Sequence, residues 1–245
     1  MSLLTPARRR DAEILDDPDA DPALALRSLR DVALANAFFG GRRAVVAEVR
    51  TLLAGWARGT TCTLLDVGTG LGDIPRAAQR LGGQRGVTVR TIGLELAVPI
   101  AQAAATRCTH AVAADALALP FATASIDVVT CSQVLHHFDG DAADQLLREC
   151  TRVARQAVII GDLRRSWIAI AGLWAGSFLL GFHPVSRHDG IVSIRRGYTV
   201  AELRALVQSA TGCTPRTRGG LGFRVVAHWA PSRRAPLSTL SGFAG

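Results

Sequence analysis

Asp66 is followed by glycines at positions 68, 70 and 72, and together they close the apolar run Leu64-Leu65-Asp66-Val67. A buried strand that ends in an acid and turns through alternate glycines can hold a nucleotide-like ligand against bare backbone. Glycine serves twice there: it accepts positive φ, and without a Cβ it lets a ligand lie on the main chain. A helix is expected from about Asp73, because Pro75 would then sit in its first turn, where a missing N–H costs nothing. The spacing excludes two other phosphate loops. A dinucleotide fingerprint would need Gly or Ala where Asp73 or Pro75 stands, and no Gly-Lys-Ser/Thr follows to make a Walker loop.

Three further stretches put polar groups at the ends of apolar runs. Glu95 closes a strand expected over 87–94, 23 positions beyond Gly72, near the offset at which an acid reaches ribose hydroxyls. A carboxylate there can accept from two adjacent O–H groups at once. Asp115 and Ala116 follow a short strand at 110–114, and a strand at 126–131 runs into Ser132-Gln133-Val134-Leu135-His136-His137-Phe138-Asp139. Parallel strands all end on one side of a sheet, so these groups share an edge with the glycine turn.

The remaining elements alternate in the same way. Apolar periodicity supports helices over 22–39, 45–56, 74–81, 98–106 and 142–153, with breaks at Gly40-Gly41 and in a glycine-rich turn after 81. A fifth strand at 157–161 ends in Asp162. Beyond it come an apolar segment over 167–182, a polar loop over 183–190, and a helix over 200–209 opened by a Thr199/Glu202 capping box. Strands at 213–218 and 223–229 would be joined through Gly219-Gly220 in a hairpin.

Asp66 with Gly68, Gly70 and Gly72 resembles motif I of the class I S-adenosylmethionine-dependent methyltransferases, and the later landmarks follow in the expected order as far as Asp162. The Leu135-His136-His137-Phe138 stretch is similar to one in small-molecule members that resemble the quinone-biosynthesis methyltransferases. The resemblance implies a Rossmann-like, doubly wound, seven-stranded α/β sheet, mostly parallel with an antiparallel last strand. An N-terminal helical lid and a helical insertion after strand 5 complete it. It also implies S-adenosylmethionine as cofactor, held by Asp66, Gly68, Thr69, Gly70, Gly72, Glu95, Leu96 and Ser132, with Asp115 and the Ala116 backbone at the adenine. Arg42, in the corner between the first two helices, is the candidate for the amino-acid carboxylate. Its competitor is a solvated arginine at an ordinary helix corner.

Because the sulfonium already carries the activated methyl group, such a reaction depends on alignment, and no metal is expected. A histidine can still remove the acceptor's proton, and the candidates are His136, His137, His188 and, less central, His183. His110 and His228 lie on strands and read as structural. The expected reaction is O-methylation of a hydrophobic phenolic or polyketide-like compound, the alternative being C-methylation of a quinone-type ring. The strand-four segment lacks the N-P-P-Y pattern of enzymes acting on amino groups of nucleic acids or proteins. A cofactor-binding regulator or a nucleic-acid-binding protein on the same fold stands as the reading from another class.

Whole-chain properties bound these readings. The 245 residues suffice for one large domain, and a composition 49% hydrophobic and 20% charged is that of a folded protein. Boundaries are expected at a flexible arm over 1–20, a lid over 21–58, the methyltransferase domain over 59–230 with its substrate-covering insertion at 163–198, and a flexible tail over 231–245. The net charge of +8 could serve nucleic acid or an anionic surface, but the arginines are scattered in ones, twos and threes, so no nucleic-acid partner is expected. Five cysteines without a C-x-x-C pair suit free thiols in a reducing cytoplasm. No leader-like apolar stretch opens the sequence, and the apolar 167–182 segment is too short to span a bilayer. That segment is expected to wall an acceptor pocket, with membrane-surface binding as the competing reading. A monomer or homodimer is expected.

Overall fold

The computed structural model describes residues 5–17, 21–38, 41–220 and 222–232. Phe39, Gly40, Leu221 and the expected tail beyond 232 lie outside them. Seven strands form one sheet: β1 (Thr61–Val67), β2 (Thr88–Glu95), β3 (His110–Ala113), β4 (Ile126–Ser132), β5 (Ala154–Leu163), β6 (Arg216–Gly220) and β7 (Arg224–Trp229). Their order is β3-β2-β1-β4-β5-β7-β6. The first five are parallel, and β7 runs antiparallel to both neighbours. This is the expected doubly wound, Rossmann-like fold with an antiparallel last strand.

Successive residues of the central strands point to opposite faces, and both faces are covered. Leu65, Val129, Ile160 and Val225 face a core closed by helices α5 (Gly140–Val153) and α8 (Val200–Thr211). Leu64, Val128, Ile159 and Val226 face a second core under α2 (Gly41–Leu53) and α3 (Asp73–Arg85). Of the two N-terminal helices, α1 (Pro22–Phe38) lies over the cavity described below, whereas α2 packs so closely on the sheet that a Cβ on Gly161 would overlap Val45. Helix α4 (Val98–Ala104) connects β2 to β3.

Four expectations change. Gly82 and Gly83 do not form a turn; α3 runs through them to Arg85, because Gly82 lies against β2, where any Cβ would overlap Val89. The polar loop expected over 183–190 is helix α7 (Pro184–Arg196), capped by the His183 side chain with Pro184 in its first turn. Its apolar periodicity was hidden because it buries Asp189 and Arg196 along with Val192 and Ile194. Gly219 and Gly220 belong to β6 and not to the turn, and Phe223, at φ +56°, leads directly into β7. The arm expected at 1–20 is held over residues 6–15: Arg9 N–H donates to Arg195 O, Arg8 Nε donates to Arg196 O, and Ile14 and Leu15 N–H donate to the Asp189 carboxylate. The apolar segment after β5 is helix α6 (Trp167–Leu179).

Candidate active site

The strand order reverses direction between β1 and β4, and the crevice above their carboxyl ends is where an open α/β sheet takes its ligand. The glycine loop leaves β1 on one side of it. Gly68, Gly70 and Gly72 have φ of 66°, 55° and 75°, the left-handed region that a side chain resists. A Cβ on Gly68 would also overlap Val134, just beyond β4, whereas Gly70 has nothing nearer than Leu29 Cδ2 at 3.8 Å.

Asp66 organises this loop from below. It is 2% exposed, and its carboxylate accepts from Thr69 Oγ1 at 2.8 Å and Thr130 Oγ1 at 2.6 Å. Burial pushes its pKa up to about 7 in spite of those two donors. Thr69 therefore spends its hydroxyl within the loop. Glu95, at the tip of β2, accepts from the Gly70 amide at 2.5 Å, and burial raises its carboxyl above the ordinary range. Beside it Leu96 is 75% exposed, a large apolar side chain left open at the rim. Asp115 is exposed beyond β3 and accepts from Leu117 N–H at 2.8 Å, which fixes the turn carrying Ala116. Arg42 reaches the loop's far end, with Nη1 4.0 Å from Asp73 Oδ1, and its side chain is 46% exposed. Ser132, half-buried, ends β4.

Next to this edge lies a cavity of about 340 Å³, bordered by α1, α6, α7 and the segment after β4. Gln133 opens that segment with φ +59°, held there by its N–H donating to Gly161 O at 2.8 Å. Backbone strain of this kind in a non-glycine residue is characteristic of functional edges. His136 and His137 follow in a single 3-10 turn, Leu135–His137, and both line the cavity. Arg196 of α7 pins the turn by donating from Nε to His136 O at 3.0 Å and from Nη2 to His137 O at 2.9 Å.

His136 is 2% exposed, and its Nδ1 lies 2.7 Å from Asp162 Oδ1, while the other Asp162 oxygen accepts its backbone N–H. Burial alone would raise the Asp162 carboxyl, but the charge and hydrogen bond of His136, with the Leu163 N–H, hold it below the ordinary range. With Nδ1–H given to that carboxylate, a neutral His136 carries its lone pair on Nε2. Nε2 has no hydrogen-bond partner. Glu13, brought in by the N-terminal segment, places Oε1 3.8 Å from it and 3.9 Å from His137 Nδ1. These three residues have the spacing of a cation site, yet Arg196 Nη1 stands 3.8 Å from the same oxygen and already supplies positive charge.

The other histidines are placed elsewhere. His188 lies on α7 with its side chain 54% exposed, paired with Asp189, and does not line the cavity. His183 caps α7 through Nδ1 and is also absent from the lining. His228 on β7 pairs with Glu48. Sequence reasoning missed Glu13, Gln133, Asp162 and Arg196 as site residues. Of these only Asp162 carried a signal, as the acid that ends a strand.

Residues 65–160 match the family model described as a methyltransferase domain. That stretch carries the sequence of a methyltransferase domain. Its fold is similar to that of a SAM-dependent methyltransferase from Aquifex aeolicus, at 14% identity and a TM-score of 0.54 over 82% of this chain and 98% of that one. It is similar as well to the magnesium protoporphyrin IX methyltransferase of Synechocystis PCC 6803 with bound SAH, at 16% identity and a TM-score of 0.53 over 78% and 84% of the two chains. An O-methyltransferase family protein from Burkholderia thailandensis, at 17% identity and a TM-score of 0.53, aligns over 82% of this chain but 59% of its own. No curated protein matches the chain in sequence.

The same magnesium protoporphyrin IX methyltransferase is also solved with bound S-adenosylmethionine. The residues present in this chain fit that ligand: a glycine cradle open at Gly70, a carboxylate at the tip of β2, and an exposed apolar side chain beside an acid for a purine ring. Among the described residues no helix is long and apolar enough to cross a membrane.

Proposed function

We propose that this methyltransferase acts on a hydrophobic small molecule seated in the cavity, with O-methylation of a phenolic or polyketide-like hydroxyl as the reaction. The observation that carries the reading is His136: a buried ring held by Asp162 through one nitrogen, with the other nitrogen unpartnered at the cavity wall. The largely apolar wall, with Leu29, Val32, Ile168, Leu173 and Phe182, suits an aromatic or polyketide body. Relatives of the same fold act on magnesium protoporphyrin IX or belong to an O-methyltransferase family, which supports a bulky apolar acceptor.

S-adenosylmethionine supplies a methyl group activated by its sulfonium. The protein's tasks are then alignment and proton removal, and alignment alone can supply about 7 to 11 kcal/mol. Glu95 would accept from the ribose hydroxyls, Asp115 and the Ala116 backbone would bind the adenine edge, and Leu96 would cover its face. Arg42 and the N–H groups of the loop would meet the amino-acid end. His136 Nε2 would take the acceptor's O–H proton as the methyl group transfers. Asp162 stays ionised and stabilises the resulting imidazolium, and His137 borders the same space.

Calorimetric titration of the purified protein with S-adenosylmethionine, beside NAD and a Glu95→Ala variant, tests the cofactor assignment. Saturable binding of the methyl donor alone, weakened in the variant, is expected. With a phenolic acceptor in hand, His136→Ala and Asp162→Asn should keep cofactor binding and lose roughly 10² to 10⁴ in kcat. Full turnover in His136→Ala would exclude the base, and NMR of the product distinguishes an O-methyl from a C-methyl group.

A further inference from the structure

Helix α6 is apolar on every side. Its 13 residues contain a single polar side chain, Ser177, which is buried, donates to Trp174 O and accepts from Arg187 Nε. The helix rests on α7, and its inner face, with Ala169, Gly172 and Leu173, walls the cavity. Among the described residues nothing covers the outer face. Trp167, Trp174, Phe178 and Leu179 are 47%, 55%, 54% and 89% exposed. With Ile168 they make up half of the large exposed hydrophobic side chains among the described residues, so the exposure is concentrated on one helix and marks an interaction site.

The rim of this face is cationic. The Arg187 guanidinium lies 3.6 Å from the Phe178 ring centroid and that of Arg195 lies 5.9 Å from the Trp167 ring. Neither arginine is ion-paired with a carboxylate among the described residues. Aromatic rings ringed by unneutralised arginines match a surface whose interior is apolar and whose border is anionic. A second copy of the chain on the same face would set two cationic rims together, in a protein that already carries a net charge of +8. A single convex helix also needs a groove in a protein partner, whereas the acyl–headgroup boundary yields around it. At 13 residues, α6 is about 20 Å long, too short to span a bilayer and well sized to lie in its surface.

We propose that α6 docks the protein on an anionic phospholipid surface, with Trp167, Trp174, Phe178 and Leu179 in the acyl–headgroup boundary and Arg187 and Arg195 at the lipid phosphates. Because the opposite side of the helix is the cavity wall, docking places that cavity within one helix diameter of the bilayer. A membrane-dissolved acceptor then has a short path to it. The docking itself does not depend on which molecule is methylated, or on methyl transfer at all.

The test is sedimentation of the full chain with vesicles of phosphatidylcholine alone and of equimolar phosphatidylcholine and phosphatidylglycerol. Strong retention on the anionic vesicles and weak retention on the neutral ones is expected. Trp174→Ser/Phe178→Ser, both outside the cavity lining, should weaken retention about tenfold or more. Arg187→Gln/Arg195→Gln should abolish the preference for anionic lipid. Circular dichroism and S-adenosylmethionine titration on each variant separate loss of docking from loss of fold or of cofactor binding. Absence of vesicle binding by the wild type, or equal retention of the Trp174→Ser/Phe178→Ser variant, overturns the proposal. So does a dimer in size-exclusion light scattering that dissociates in that variant, which would assign the face to a second copy.

Discussion

Gly68 has the least freedom of the three loop glycines, because it combines a φ of 66° with a Val134 methyl where its Cβ would lie. Gly68→Ala is expected to displace the segment after β4 and to abolish S-adenosylmethionine binding. Gly70→Ala meets open space and carries only the left-handed backbone cost of about 1 kcal/mol. Parallel titrations of the two variants decide it; equal losses would show that backbone conformation, and not the overlap with Val134, sets the requirement. Asp66 gives a prediction in pH. Its folded pKa of about 7 lies above the ordinary 3.8, so the folded protein holds the proton more tightly than the unfolded chain does. Its contribution to stability is complete below about pH 4, is lost as the pH rises through 7, and stays lost above that. Thermal melts of wild type and Asp66→Asn between pH 4 and 8 should show a steeper fall in the first than in the second, where the raised Glu95 carboxyl still contributes. Asp66, Glu95 and Asp115 were legible in the sequence because each follows an apolar strand, and a strand end fixes where its side chain stands. Glu13 and Arg196 were not, since what places them beside His136 is the docking of segments far apart in the chain.

Between elements, Arg165 at the start of the insertion is joined to Glu202 of α8. The guanidinium is 5% exposed and makes two parallel hydrogen bonds of 2.8 Å to the Glu202 carboxylate, which also closes the capping box of α8. The Arg165 hydrogen bonds come first among the causes that bring the Glu202 pKa down to about 2. Glu202→Ala strands a buried cation and opens the cap. Because the Glu202 side chain is 45% exposed and Arg165 keeps its bonds to Pro6 O and Gly197 O, the expected cost is about 1 to 2 kcal/mol in urea denaturation, with Glu202→Gln costing less because it can still bond the Thr199 N–H. An unchanged midpoint in Glu202→Ala would remove Arg165 from the joins that hold α8. The capping box itself was readable from Thr199 and Glu202, as were the sheet and its antiparallel final strand. Helix α7 was not, because its buried positions include Asp189, which receives the Ile14 and Leu15 amides, and Arg196, which holds the His136 and His137 carbonyls. A periodicity rule that counts apolar residues misses a helix that buries polar side chains against partners it finds only after folding.

At the scale of the molecule, the proposed cofactor edge is built mostly by one contiguous stretch of the chain and the proposed acceptor cavity by pieces from all of it. Residues 66 to 139 carry the glycine loop, both strand-end acids and the histidine pair, whereas the cavity also needs Glu13, Leu29, Leu173, Ile194 and Phe223. Truncation of residues 1–17 is therefore expected to leave S-adenosylmethionine binding intact and to raise the acceptor KM several-fold, as measured by steady-state kinetics beside calorimetry. An unaltered KM would show that the N-terminal segment does not border the bound acceptor. The same hydrogen bonds from Arg8, Arg9, Ile14 and Leu15 to α7 also impose an order on biosynthesis. The segment that borders the cavity is made before its partners, for Asp189 and Arg195 follow about 175 to 186 residues later. At a translation rate of about 5 to 20 residues per second, that is an interval of roughly 10 to 40 s. The segment that covers the histidine pair is made well before the helix that seats it, and until α7 has folded the pair stands open.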